Sequence, residues 1–150
     1  MSLKTVEAIT VAELEEKRSR FIAHLVPYNN FYETLEDLRR QHRKANHHVT
    51  ALRWFSENDQ VLEIAKDDGE PSGTSGMPIL KTLAGANLVE VGIIVTRYFG
   101  GTKLGTGGLA RAYSGAAGKV IADARLVDWK RLAERTLEVG YDDISDAERK

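Results

Sequence analysis

Between Leu88 and Thr96 the chain is aliphatic or β-branched throughout, apart from Glu90 and Gly92. A strand with no polar face belongs inside a layered fold and is buried on both sides. This segment constrains the architecture more than any other, because it demands a sheet with further elements packed on it. After Gly108, a stripe of Leu109, Tyr113, Ala116, Val120 and Ala124 at helical spacing predicts a helix lying on that sheet. Gly115 and Gly118 interrupt it, each costing about 1 kcal/mol relative to Ala. Their presence is read as close approach to another backbone.

Other elements follow from local patterns. Asn30-Phe31-Tyr32-Glu33 has the form of a capping box, and Phe31, Leu35 and Leu38 repeat at helical spacing behind it. Arg39, Arg40 and Arg43 sit at the end where the helix dipole favours cations. Segments 49–55 and 61–65 read as strands joined by a turn at Glu57-Asn58-Asp59. Near the N-terminus, Val11 to Arg18 suits a helix by propensity, whereas Phe21 to Val26 suits a strand. Leu137, Val139 and Tyr141 alternate with polar residues, as in a half-buried strand, and Ser145 to Glu148 opens another capping box.

The chain has 150 residues, 42% of them hydrophobic, which is enough for one self-standing core burying roughly 70% of the unfolded surface. It has no cysteine, which excludes disulfides and thiolate chemistry and suits a reducing, cytoplasmic setting. No apolar run approaches the ~20 residues of a bilayer span. The net charge is −1, yet positions 91–122 hold Arg97, Lys103, Arg111 and Lys119 and no acid. That window is +4 and leaves −5 for the remainder, a candidate anion-facing surface.

Two segments concentrate the unusual residues. Asp67, Asp68, Gly69, Glu70, Pro71, Ser72, Gly73 and Thr74 form a tight polar loop ahead of a helix near Pro78. Such a loop can offer amides and hydroxyls to an anion, present carboxylates to a hard cation, or simply cap the helix that follows. His47 and His48 stand side by side on a strand, so they face opposite ways. One is expected to be buried, and His47 is placed to pair with the acidic loop.

The second segment runs from Arg97 to Arg111 and holds Gly100, Gly101, Gly105, Gly107 and Gly108 with Lys103 and Arg111. Glycines admit close backbone approach, so this is an anion cradle in chemical terms. It is not a P-loop, because Thr106 occupies the lysine position. Gly105 to Ala110 fits G-x-G-x-x-A, but the preceding strand ends too far upstream for a dinucleotide turn. Arg97-Tyr98-Phe99 interleaves a cation with aromatics, as base-stacking surfaces do, and at least one of these aromatics is expected in the core. Recognisable catalytic motifs are missing: there is no G-x-S-x-G, no H-E-x-x-H and no paired cysteines, and nothing favours Ser72 or Ser75 with a distant His as a nucleophile.

Taken together, Asp67 to Thr74 and Arg97 to Gly108 resemble the hallmark motifs of the YigZ/IMPACT family, as do Ser19 to Ala23 and Ala45 to His47. Val49 stands where many members carry Cys. The resemblance covers about residues 5 to 126. It implies an α+β two-layer sandwich like domain IV of elongation factor G and related ribosomal-protein domains. On this reading residues 1–126 are the N-terminal domain, and 127–150 resemble the start of a truncated ferredoxin-like second domain. Eukaryotic relatives act in translational control by binding the activator of an initiation-factor kinase.

The expected function is a non-catalytic, cytoplasmic, translation-associated binding module with no cofactor, no metal and no membrane partner. Its RNA- or ribosome-facing surface would comprise Arg97, Lys103, Arg111 and the five glycines, with Arg20 at the rim. Two alternatives accompany it. In one, Asp67 to Thr74 docks a basic translation-linked protein. In the other, the chain is a phosphate- or nucleotide-binding enzyme whose cradle holds the phosphate, with Asp68 or Glu70 binding Mg²⁺.

Overall fold

The computed structural model describes residues 2–130. Strand β1 (Lys4–Thr5), strand β2 (Thr10–Glu16) and strand β3 (Ser19–Pro27) lead into helix α1 (Phe31–Gln41). Next come β4 (His47–Phe55), β5 (Val61–Lys66), α2 (Gly76–Gly85), β6 (Val91–Tyr98), α3 (Gly105–Asp123) and β7 (Val127–Asp128). Five strands form an antiparallel sheet in the order β2-β3-β6-β4-β5. The apolar strand of the sequence is therefore the central one, as its lack of a polar face requires.

Side-chain alternation sorts the core into two parts. Val91, Ile93 and Val95 share one face with Phe21, Ala23, Leu25, Val49 and Ala51, under Ile79 and Leu83 of α2 and Leu109, Tyr113, Ala116 and Val120 of α3. On the other face Ile94 packs with Val26, Leu52 and the Phe31, Leu35 and Leu38 stripe of α1. Each such fully buried side chain contributes about 1.5–3 kcal/mol. Gly92 is the docking point for α1, since a Cβ there would overlap the Phe31 ring and Leu52. A two-stranded ribbon of β1 and β7 closes the described chain, and Trp129 stacks on Phe55 with ring centroids 4.5 Å apart.

The expected α+β class is what the chain adopts. Four local expectations are corrected. Val11 to Arg18 is largely strand β2 and its turn, because Ala12 and Leu14 are needed against α3 and tertiary burial outweighs helix propensity. Asn30 does precede α1, but its side chain makes no capping hydrogen bond. Gly115 faces the Leu14 side chain and Gly118 faces open space, so neither marks backbone contact. Helix α3 begins at Gly105, so Gly105, Gly107 and Gly108 form its first turn rather than a loop. The expected strand at Leu137 to Tyr141, the helix start at Ser145 and most of the expected second-domain segment lie outside the described residues.

Candidate functional site

Strands β5 and β6 end, and β3 and β4 begin, at one edge of the sheet, as the pairings Arg20 with Tyr98, His47 with Arg97 and Thr50 with Lys66 require. The turn at Lys17-Arg18, the approach to β4, the Asp67 to Ser75 loop and the Phe99 to Leu104 loop all gather there. Helices α2 and α3 start from the same edge. Topology thus joins motifs that are far apart in sequence.

Two acids of the loop, Asp67 and Glu70, turn inward while Asp68 stays exposed. Asp67 accepts hydrogen bonds from the backbone N–H groups of Gly73 at 2.8 Å, Ser75 at 3.2 Å and Gly76 at 2.8 Å. It thereby caps α2 through its side chain. Burial acts to raise the Asp67 pKa, but these three amides outweigh it and hold the carboxyl below its ordinary range. Asp68, at φ 49°, accepts from the His48 amide at 2.7 Å. Gly69 and Gly73 lie at φ 90° and 78°, a region that suits glycine. Thr74 Oγ1 donates to the Pro71 carbonyl at 2.6 Å, and Ser72 is exposed.

Glu70 reaches the centre of the fold. Arg97 Nη1 donates to its oxygens at 3.0 and 2.7 Å, and the Tyr113 hydroxyl of α3 donates at 2.5 Å. Arg97 Nη2 and the Gly100 amide both donate to Ser19 Oγ, at 3.2 and 3.1 Å. Burial, reinforced by donation to Glu70, pushes the Tyr113 phenol far above its ordinary pKa, so it stays a neutral donor. His47 Nδ1 donates to the Asp68 carbonyl at 2.8 Å, which leaves Nε2 facing Glu70 at 3.4 Å. The expected pairing of His47 with the acidic loop is therefore present. His48 is the buried one, with Nδ1 3.0 Å from Thr96 Oγ1, and burial lowers its pKa.

These contacts relocate several expected site residues. Arg97 is only 5% exposed and is a structural tie rather than a surface cation. Arg20 is held by Glu13 at 2.8 and 3.1 Å and lies over the Tyr98 ring. Neither aromatic of the Arg97-Tyr98-Phe99 run is in the core: Tyr98 is half-buried, bonded to His42 at 2.6 Å, and Phe99 is 48% exposed. Gly100 is fixed by sterics, because an added Cβ would overlap the Arg18 backbone. Gly101 and Gly105 need positive φ, at 91° and 76°.

Lys103 and Arg111 are exposed and form no ion pair among the described residues. The Arg111 guanidinium folds back along α3 so that a Cβ on Gly107 would lie 3.2 Å from Nη1, the direction helical side chains take. Tyr113 and Ser19 are the members of the buried network that residue patterning missed, since Tyr113 also fits a purely apolar stripe. No group of three metal-ligating side chains occurs among the described residues. Both Glu70 oxygens and Oδ2 of Asp68, which could hold Mg²⁺, already accept hydrogen bonds.

At this end of the sheet Lys103, Arg111 and Phe99 are exposed, Glu70 is buried, and Asp68 is exposed with one oxygen bonded to the His48 amide. Comparison with known proteins places these motifs among relatives. Residues 17–121 match the Impact N-terminal domain. The chain is 39% identical over 131 residues to the Bacillus subtilis IMPACT family member YvyE, covering 85% of this chain and 59% of that protein. Against the Escherichia coli IMPACT family member YigZ the identity is 36% over 143 residues, covering 93% and 70%. A crystal structure of a hypothetical protein superposes with a TM-score of 0.74 at 32% identity, covering 87% of this chain and 66% of that one. The chain thus spans about six-tenths of the Bacillus relative's length.

Proposed function

The chain belongs to the IMPACT family, and from that membership we propose that it is a non-catalytic, cytoplasmic, translation-associated module that binds structured RNA through the loop edge of its sheet. The carrying observation is the division of charge at that edge. Asp67 and Glu70 are committed to internal hydrogen bonds and exposed Asp68 gives one oxygen to the His48 amide, while Lys103 and Arg111 are exposed without acid partners among the described residues. Cations so presented attract a phosphate backbone without reading sequence. Phe99, half exposed beside Gly100 and Gly101, offers a face on which an unpaired base can stack.

Docking of a basic protein on Asp67 to Thr74 is less well supported, because the loop's carboxylates already have partners. The membrane plays no part in this reading, and no helix among the described residues is long and apolar enough to cross one. The test is fluorescence anisotropy of a labelled RNA hairpin across a salt series, with the chain and its Lys103→Glu variant. The expected result is salt-dependent binding whose log–log slope falls by about one phosphate contact in the variant. Absence of binding even at low salt would overturn the reading.

A further inference from the structure

Beside the loop edge, α2 and the N-terminal half of α3 leave an open groove of about 520 Å³ lined by Pro78, Lys81, Thr82, Ala110, Arg111 and Ser114. Its lining contains two cations and two hydroxyls, and no acid and no aromatic ring. Across the whole of α2 and α3 the only acid is Asp123, at the far end of α3. Lys81 and Arg111 make no ion pair among the described residues. Ser114 likewise donates to no partner there, whereas Thr82 Oγ1 donates to the Pro78 carbonyl at 2.8 Å and keeps its acceptor side. By contrast Lys119, further along α3, is tied to the Glu13 carbonyl at 2.6 Å.

We propose that this interhelical groove seats phosphate groups of an RNA backbone, gripped by Lys81 and Arg111 with the Ser114 hydroxyl as an added donor. The inference rests on the RNA-binding reading and assigns it a second contact surface. A groove without aromatic or large apolar walls has nothing to stack or bury a base, so its chemistry selects the charged backbone. Lys supplies a mobile point charge and Arg a planar fork that matches phosphate oxygens. The Arg111 guanidinium lies along the helix beside Gly107, where a Cβ would approach Nη1 to 3.2 Å.

The test repeats the hairpin titration with Lys81→Ala and Arg111→Ala, with Arg40→Ala on α1 as a control, each checked for folding by circular dichroism. Backbone amide shifts are followed for the parent chain with the hairpin and, separately, with inorganic phosphate. The expected result is a slope reduced by about one for each groove variant with none for Arg40→Ala, and amide shifts at Lys81, Thr82 and Ser114. Hairpin binding with unchanged slopes in both groove variants would overturn the groove assignment while leaving the RNA reading standing. No hairpin binding, with amide shifts produced by inorganic phosphate alone, would overturn RNA as the source and with it the RNA reading.

Discussion

Arg97 Nη1 contacts both carboxylate oxygens of Glu70, at 3.0 and 2.7 Å, with both side chains almost wholly buried. One residue comes from the central strand and the other from the acidic loop, so the pair ties the two most distinctive segments together. Tyr113 and Ser19 take up further bonding capacity of the pair, although Arg97 Nε is buried without a partner. Removing one member of such a pair leaves an uncompensated buried group.

Glu70→Gln and Arg97→Met are each expected to destabilise the domain by about 3–5 kcal/mol. The double variant should cost less than the sum, because no lone charge remains. Urea unfolding of the four proteins in a double-mutant cycle measures this, and additive costs would show that the pair is not coupled.

Two glycines should respond oppositely to alanine. Gly100→Ala places a Cβ into the Arg18 backbone and should lose more than about 2 kcal/mol. Gly118→Ala meets nothing within 4 Å and should gain up to about 1 kcal/mol from helix propensity. Thermal midpoints of the two variants against the parent chain decide the matter.

Asp67→Ala removes the acceptor for three amides at the start of α2 and should cost about 1–2 kcal/mol. Because the folded pKa is depressed, this contribution is full above the unfolded pKa and is lost as pH falls through the folded value. The difference in urea midpoint between parent and variant should therefore shrink when measured in strong acid.

His48 and His24 give a second pH dependence at milder acidity. Burial lowers both pKa values; at His48 the Asp68 charge and a hydrogen bond to the His42 backbone partly oppose this while the Arg39 charge adds to it, and at His24 the His42 charge adds to it. A depressed histidine pKa means that the unfolded chain binds more protons, so stability is full above pH ~6.5 and declines below it. Urea midpoints at pH 7.5 and 5.5 should differ in the parent chain, and His48→Gln should narrow the difference.

The local patterns of the chain determined most elements. The nearly all-apolar run made β6 central, the Phe31, Leu35 and Leu38 stripe made α1, and the Leu109 to Val120 stripe made α3, because periodicity alone tells each segment which face to bury. The motifs around Asp67 and Arg97 identified the family for the same reason, as they are contiguous in sequence. What only the tertiary structure decided is which charges face solvent. Arg97 reads as a surface cation and Glu70 as a surface acid until the sheet order brings β6 against the loop, where each neutralises the other out of water. Likewise Lys81 and Arg111, thirty residues apart, become one groove because two helices leave the same sheet edge. Local propensity contains no information about such long-range pairings, since they depend on strand order and register rather than on any neighbour along the chain.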